Sequence, residues 1–151
     1  MMPFRILSLA VLATLLLAGC EKEDTAAPAA ATLLETRWML ARIDNFPVEA
    51  SSYSETRRSY LEFVDLGQCT VGLGPCNNFS GRFSLGSSNN QQLSISPQIP
   101  TRATCPVQPL ENQYLANLAL TQRYALEGDE LRLYDATTAA PRLVFRRAAA
   151  Q

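Results

Sequence analysis

The side chains best equipped for chemistry in this 151-residue chain are its four cysteines, Cys20, Cys69, Cys76 and Cys105. There is no histidine, which removes the commonest general base and the commonest zinc ligand together. Without it no serine, threonine or cysteine has an evident activating partner, so the pattern implies no catalytic residue. No CxxC spacing is present, so the cysteines do not read as a metal site. Gly72, Gly74 and Gly81 spread over one loop, but no Lys-Ser/Thr follows to make a phosphate cradle. Glu62, Asp65 and Glu111 are the acids nearest this region, and no spacing brings two of them together; they read as solvated surface or hairpin partners. What remains is the loop itself, Gly74-Pro75-Cys76-Asn77-Asn78-Phe79-Ser80-Gly81. Asn77, Asn78, Phe79 and Gly81 make it a candidate binding loop, although its Gly and Asn content first serves the backbone path.

Lysine and arginine total 13 against 14 acids, a formal charge of −1. Such a balance argues against a nucleic-acid partner and against strongly charged substrates. No cofactor is implied. Hydrophobic residues make up 47% of the chain, enough for one core and one domain. The doublets Arg57-Arg58 and Arg146-Arg147 read as solvated strand ends.

Residues 1–19 carry Arg5, then an almost unbroken apolar run from Ile6 to Ala18. A spanning helix needs about 20 apolar residues, so this run reads as a signal peptide. Leu17-Ala18-Gly19-Cys20 resembles the lipobox of bacterial lipoproteins. That resemblance implies cleavage before Cys20, a diacylglyceryl thioether on its sulfur and acylation of the new N-terminus. Two or more acyl chains anchor stably where one does not. Glu21 rather than Asp after the cysteine points to the outer membrane. Residues 20–32 then form a lipidated N-terminus and flexible tether, too poor in large apolar residues to order itself.

The folded domain is expected over residues 33–147, with a tail at 148–151. Strands are expected at Thr36–Ile43, Ser59–Val64, Gln68–Gly72, Gly81–Leu85, Gln92–Ser96, Arg123–Glu127, Glu130–Tyr134 and Arg142–Arg146, from alternation and intervening turn residues. Asp44 to Glu55 reads as loop. One helix is expected over Pro109–Leu120, with Leu110, Tyr114 and Leu118 on its apolar face. The fold class is therefore mainly β: a small antiparallel barrel-like sheet of about eight strands, with one helix covering an open end or a face. Trp38, Phe63, Phe79, Phe83, Tyr114 and Phe145 are expected in the core. Cys69 is expected as a buried small hydrophobe.

The domain resembles the META domain, or HslJ-like, family of small bacterial envelope proteins. The matching features are an early strand with Trp38, the loop Pro75-Cys76-Asn77-Asn78-Phe79-Ser80-Gly81, the stretch Thr101-Arg102-Ala103-Thr104-Cys105, a helix with Glu111 and Tyr114, and a closing hairpin from Tyr124 to Tyr134. Pro75 stands where the family usually has glycine, and Cys69 is extra. The resemblance implies a barrel-like domain with one helix and no established catalytic activity. It links the chain loosely to envelope stress. Because each of its two motifs carries one cysteine, it also implies a Cys76–Cys105 disulfide, which the periplasm would permit. That bond would close about 30 residues, worth about 3.5 kcal/mol on a chain-entropy model. The rival Cys69–Cys76 pair would gain about 2.5 kcal/mol. The reading is thus a monomeric, membrane-anchored envelope lipoprotein facing the periplasm, meeting an envelope protein partner. A periplasmic enzyme inhibitor that inserts the 72–81 loop, and a carrier of a small apolar ligand inside the barrel, are the alternatives.

Overall fold

The computed structural model describes residues 32–48, 58–86 and 91–149. Cys20, the signal segment and most of the tether lie outside these residues. Trp38–Ile43 forms β1 and Phe46–Pro47 β2. Tyr60–Val64 is β3, Cys69–Leu73 β4, Asn78–Leu85 β5, Leu93–Ile95 β6 and Ile99–Pro100 β7. The helix α1 spans Gln108–Ala119, and Arg123–Glu127, Glu130–Tyr134 and Leu143–Arg147 are β8, β9 and β10.

Eight of these strands run in the order β6-β5-β4-β3-β1-β10-β9-β8, with every pairing antiparallel. The two ends meet. Gln92 bridges Arg123, the Leu93 amide donates to the Gln122 carbonyl at 3.1 Å, and the Tyr124 amide to the Gln91 carbonyl at 2.9 Å. The result is the expected nearly closed, barrel-like sheet of eight strands with one helix. The short β2 and β7 attach to β1 and β5. Turn chemistry sets the hairpins: β8 and β9 join through Gly128-Asp129, with Gly128 at φ +58°, as a glycine-first hairpin turn requires.

Alternation fixes what faces inward. Leu61 and Phe63, Leu131 and Leu133, and Leu143 and Phe145 point into the barrel, and so do Phe79, Phe83, Leu93 and Ile95. All six aromatic residues expected in the core are there. Phe63 meets Phe83 edge-on at 5.2 Å. The helix inserts Tyr114 between Phe79, at 5.6 Å, and Phe145, at 6.3 Å.

Several local expectations shift. α1 begins one residue early, at Gln108, and its buried face is Glu111, Tyr114, Asn117 and Leu118, with Leu110 only half-buried. The face is rotated because Glu111 and Asn117 find polar partners beneath the helix. Residues expected as loop after Asp44 include β2, which pairs Arg42 with Pro47 and Ile43 with Phe46. β4 reaches Leu73 and β5 starts at Asn78, so the loop between them shrinks to Gly74–Asn77. Cys69 is half-buried, not buried: in β4 the inward positions are Thr70 and Gly72, and Cys69 shares the outer face with Val71. Among the described residues no helix is long and apolar enough to cross a membrane.

Candidate functional site

The loop Gly74–Asn77 sits where β4 hands over to β5, directly beneath the first turn of α1. Cys76 is bonded to Cys105, with Cα atoms 6.0 Å apart, and Cys69 is a free thiol. The bridge ties the loop to the segment that enters the helix. Gly74, Cys76 and Asn77 add hydrogen bonds to the same junction.

Asn77 is the hub. Its Oδ1 accepts from the Ala103 amide at 2.8 Å and from Thr101 Oγ1 at 3.0 Å. Its Nδ2 donates to the Ala103 carbonyl at 3.3 Å. The backbone joins in: the Gly74 amide donates to the Asn77 carbonyl at 2.8 Å, and the Thr101 amide to the Asn78 carbonyl at 2.8 Å. The side chain of Asn77 thus stands in for a strand partner along the irregular 101–103 segment. It is 3% exposed, so it has no free group for a ligand. Phe79 is a core residue, and Asn78 and Gly81 are strand residues of β5. The residues expected as a binding loop are therefore divided: Asn77 and Phe79 are structural, and only Asn78 is fully on the surface.

Glu111 is the residue that sequence reasoning misplaced. Read as solvated surface, it is 1% exposed. Its Oε2 accepts from the Cys76 amide at 2.9 Å, and its Oε1 has no hydrogen-bond partner among the described residues. A carboxyl group is normally driven out of such a place by desolvation. It is held here by the Cys76 amide and by the absence of a side chain at Gly74, where a Cβ would overlap Oε2 and lie 3.0 Å from Cδ. The readable signal was its position three residues before Tyr114, on the apolar stripe of the helix. The Tyr114 hydroxyl and Ser59 Oγ are likewise buried without partners. One step beyond the Tyr60–Leu73 pair, the register sets Ser59 across from Gly74. Burial, and secondarily the nearby Glu111, push the Tyr114 phenol well above its ordinary range.

A second polar cluster fastens the other flank of α1. Asp44, in the β1–β2 turn at φ +48°, accepts from Gln113 Nε2 at 2.7 Å and Asn117 Nδ2 at 2.9 Å through Oδ2. Its Oδ1 meets Arg142 Nη1 at 3.2 Å. Arg142 Nε also donates to Asp135 Oδ2 at 2.8 Å. Asp135 Oδ1 accepts from the amides of Thr137, at 2.9 Å, and Thr138, at 2.7 Å, folding the β9–β10 connection. Burial pushes the Asp44 carboxyl up, but the bonds from Asn117, Gln113 and Arg142 outweigh it and leave it below the usual carboxylate range. The amides of Thr138 and Thr137, with Arg142, hold Asp135 lower still.

Neither cluster contains a nucleophile paired with a base. Among the described residues, Cys69 Sγ donates a hydrogen bond to the Gly67 carbonyl, at 3.5 Å, and no group of three or more Cys, His, Asp or Glu side chains is placed to hold a metal. What the arrangement does chemically is to lock a helix onto a barrel at two points.

None of the curated proteins matches this chain. Two solved structures share its fold. One is an NMR structure of a protein from Burkholderia xenovorans, 20% identical, covering 86% of this chain and 97% of its own, with a TM-score of 0.61. The other is an NMR structure of a protein 22% identical, covering 77% of this chain and 94% of its own, with a TM-score of 0.56. The META domain model matches residues 31–150, which takes in the Cys76 loop, the Cys105 segment, the helix with Glu111 and the closing hairpin, and so the chain belongs to the META domain family.

Proposed function

We propose that this protein is a non-catalytic, lipid-anchored module of the bacterial cell envelope. The observation that carries the non-catalytic part is the use made of its reactive side chains. Cys76 and Cys105 are joined to each other, Asn77, Asp44 and Asp135 are engaged in structural hydrogen bonds, and Glu111 is sealed under the helix. A domain so arranged offers surface rather than a reaction centre. Anchoring rests on Leu17-Ala18-Gly19-Cys20, about a dozen residues ahead of Leu33, where the buried part of the domain begins. In this reading the barrel is a monomer held at the outer membrane and facing the periplasm, where it meets an envelope protein partner under stress.

Of the alternatives, an inserted inhibitory loop draws no support from a Gly74–Asn77 turn whose Gly74, Pro75 and Asn77 are buried. A carrier of an apolar ligand draws none from a barrel interior occupied by Phe79, Tyr114 and Phe145 in contact with one another. Labelling cells with an alkyne palmitate analogue tests the anchor. Label is expected on the wild-type chain in the outer-membrane fraction and is lost in Cys20→Ala. An unlabelled wild-type chain in the soluble periplasmic fraction overturns anchoring. Crosslinking in intact cells tests the partner. A reproducible envelope-protein adduct, absent when the β-barrel surface is altered, supports the module, and hydrolytic turnover by the purified chain refutes it.

A further inference from the structure

On the outer face of the barrel, β1, β10 and β9 carry an open groove of about 530 Å³, within the range of small-molecule sites. Its floor is Val144. This valine stands outside the core cluster, on the outer side of β10, yet it is only 7% exposed. Pro47 lines the groove from β2, Ala139 and Pro141 line it from the β9–β10 connection, and Arg42 and Arg132 flank the valine across the strands. The second wall is firmly built, because Asp135 and Arg142 fold the β9–β10 connection that carries it.

The charges across this floor are uneven. Register places Arg42 beside Val144 and Val144 beside Arg132, and places Arg146 beside Glu130. The bulge at Ala41, between Leu40 and Arg42, brings Arg42 onto this face. Arg42 and Arg146 are diagonal neighbours across β1 and β10, a separation of about 7–8 Å that two arginine side chains can close. Arg132 is engaged, with Glu130 at 2.6 Å and Glu127 at 3.0 Å. Arg42 and Arg146 have no ion-pair or hydrogen-bonded side-chain partner among the described residues. Three guanidiniums against two carboxylates leave the patch with one positive charge in excess.

We propose that this groove binds a small amphiphilic monocarboxylate. The carboxylate lies between the forks of Arg42 and Arg146, a geometry that guanidinium matches in pairs of hydrogen bonds. The apolar part of the ligand rests on Val144 between Pro47 and Pro141. A monoanion suits the single excess charge, since Glu127 and Glu130 disfavour a dianion such as a phosphate monoester. The site shares no lining residue with the Cys76 junction, and it stands or falls independently of the envelope reading.

The test is an amide chemical-shift titration of the ¹⁵N-labelled full chain in neutral micelles, with 4-phenylbutyrate as the probe and 4-phenylbutanol as its uncharged counterpart. Shifts confined to residues around Arg42, Val144 and Arg146 are expected with the acid, with a Kd of the order of 1 mM. Arg42→Gln and Arg146→Gln, which remove no internal partner, should each weaken binding about tenfold. Arg102→Gln, exposed and remote from the groove, should leave it unchanged. No shift at about 10 mM acid, equal shifts with the alcohol, or undiminished binding in the Arg42→Gln/Arg146→Gln double variant overturns the proposal.

Discussion

Gly74 and Glu111 make a pair whose coupling can be measured. An alanine at Gly74 is compatible with the local backbone, whose φ is not positive. Alone, that change would add about 0.4–1 kcal/mol by restricting the unfolded chain. Its Cβ, however, would overlap Glu111 Oε2 and crowd Oε1 at 3.2 Å. The carboxyl must move by roughly an ångström, the increment to ordinary van der Waals distance. A shift of that size breaks the 2.9 Å bond from the Cys76 amide. Overpacking costs about 1–3 kcal/mol, and a buried amide left without an acceptor costs about 1–3 kcal/mol more. Gly74→Ala should therefore destabilise the domain by about 2–5 kcal/mol. In a Glu111→Ala background the obstacle is gone, and the same methyl should be neutral or stabilising by up to about 1 kcal/mol. The coupling energy is then about 2–6 kcal/mol, at or above the upper end of those seen for contacting residues. Urea unfolding under non-reducing conditions, read by the fluorescence of the single and fully buried Trp38, gives all four corners of the cycle. An equal cost for Gly74→Ala in both backgrounds would refute the close approach of Glu111 to this loop.

Breaking the bridge with Cys105→Ser should cost about 2–5 kcal/mol, whereas Cys69→Ser, on the outer face, should stay within about 0.5 kcal/mol; non-reducing peptide mapping should recover a 76–105 crosslink and leave Cys69 alkylatable. Asn77→Ala removes three side-chain hydrogen bonds from a buried junction, and the denaturation midpoint should fall by the equivalent of about 2–4 kcal/mol, while Asn78→Ala should be near neutral. Asp44 and Asp135 both titrate below the ordinary carboxylate range in the folded state. Their contribution is therefore complete above the unfolded value near 3.9 and is lost as pH falls through the folded values. The stability gap between wild type and Asp44→Asn should be widest near pH 6 and narrow steadily below about pH 4; a gap that widens on acidification contradicts the hydrogen bonds drawn to Asp44.

The barrel was legible because its evidence is periodic. Alternation at Leu61-Glu62-Phe63 and Leu131-Arg132-Leu133 says which side faces in, whatever the neighbours are. What pairs with what across long separations leaves no such trace. Asp44 lies 73 residues from Asn117 and 98 from Arg142, and nothing local to any of the three marks the others as partners. Glu111 shows the same limit from the opposite side. A glutamate in the first turn of a helix has a sufficient local explanation, favourable interaction with the positive helix end and with water. It is buried only because a glycine 37 positions earlier leaves room for its carboxyl and a cysteine amide beside that glycine needs an acceptor. Cys69 fails for a related reason. Alternation correctly pairs it with Val71 on one face, and that face, Cys69, Val71 and Leu73, is the more apolar of the two, yet it is the outer one. Only the packing of Phe79 against Gly72 decides that the inward face is the one with Thr70 and Gly72. The polar side chains at this junction therefore carry most of what distinguishes this barrel from a generic one. They include the same asparagine and cysteine that read most like a site in the sequence, joined by a glutamate that did not. Their partners make them a brace between loop and helix rather than a binding loop.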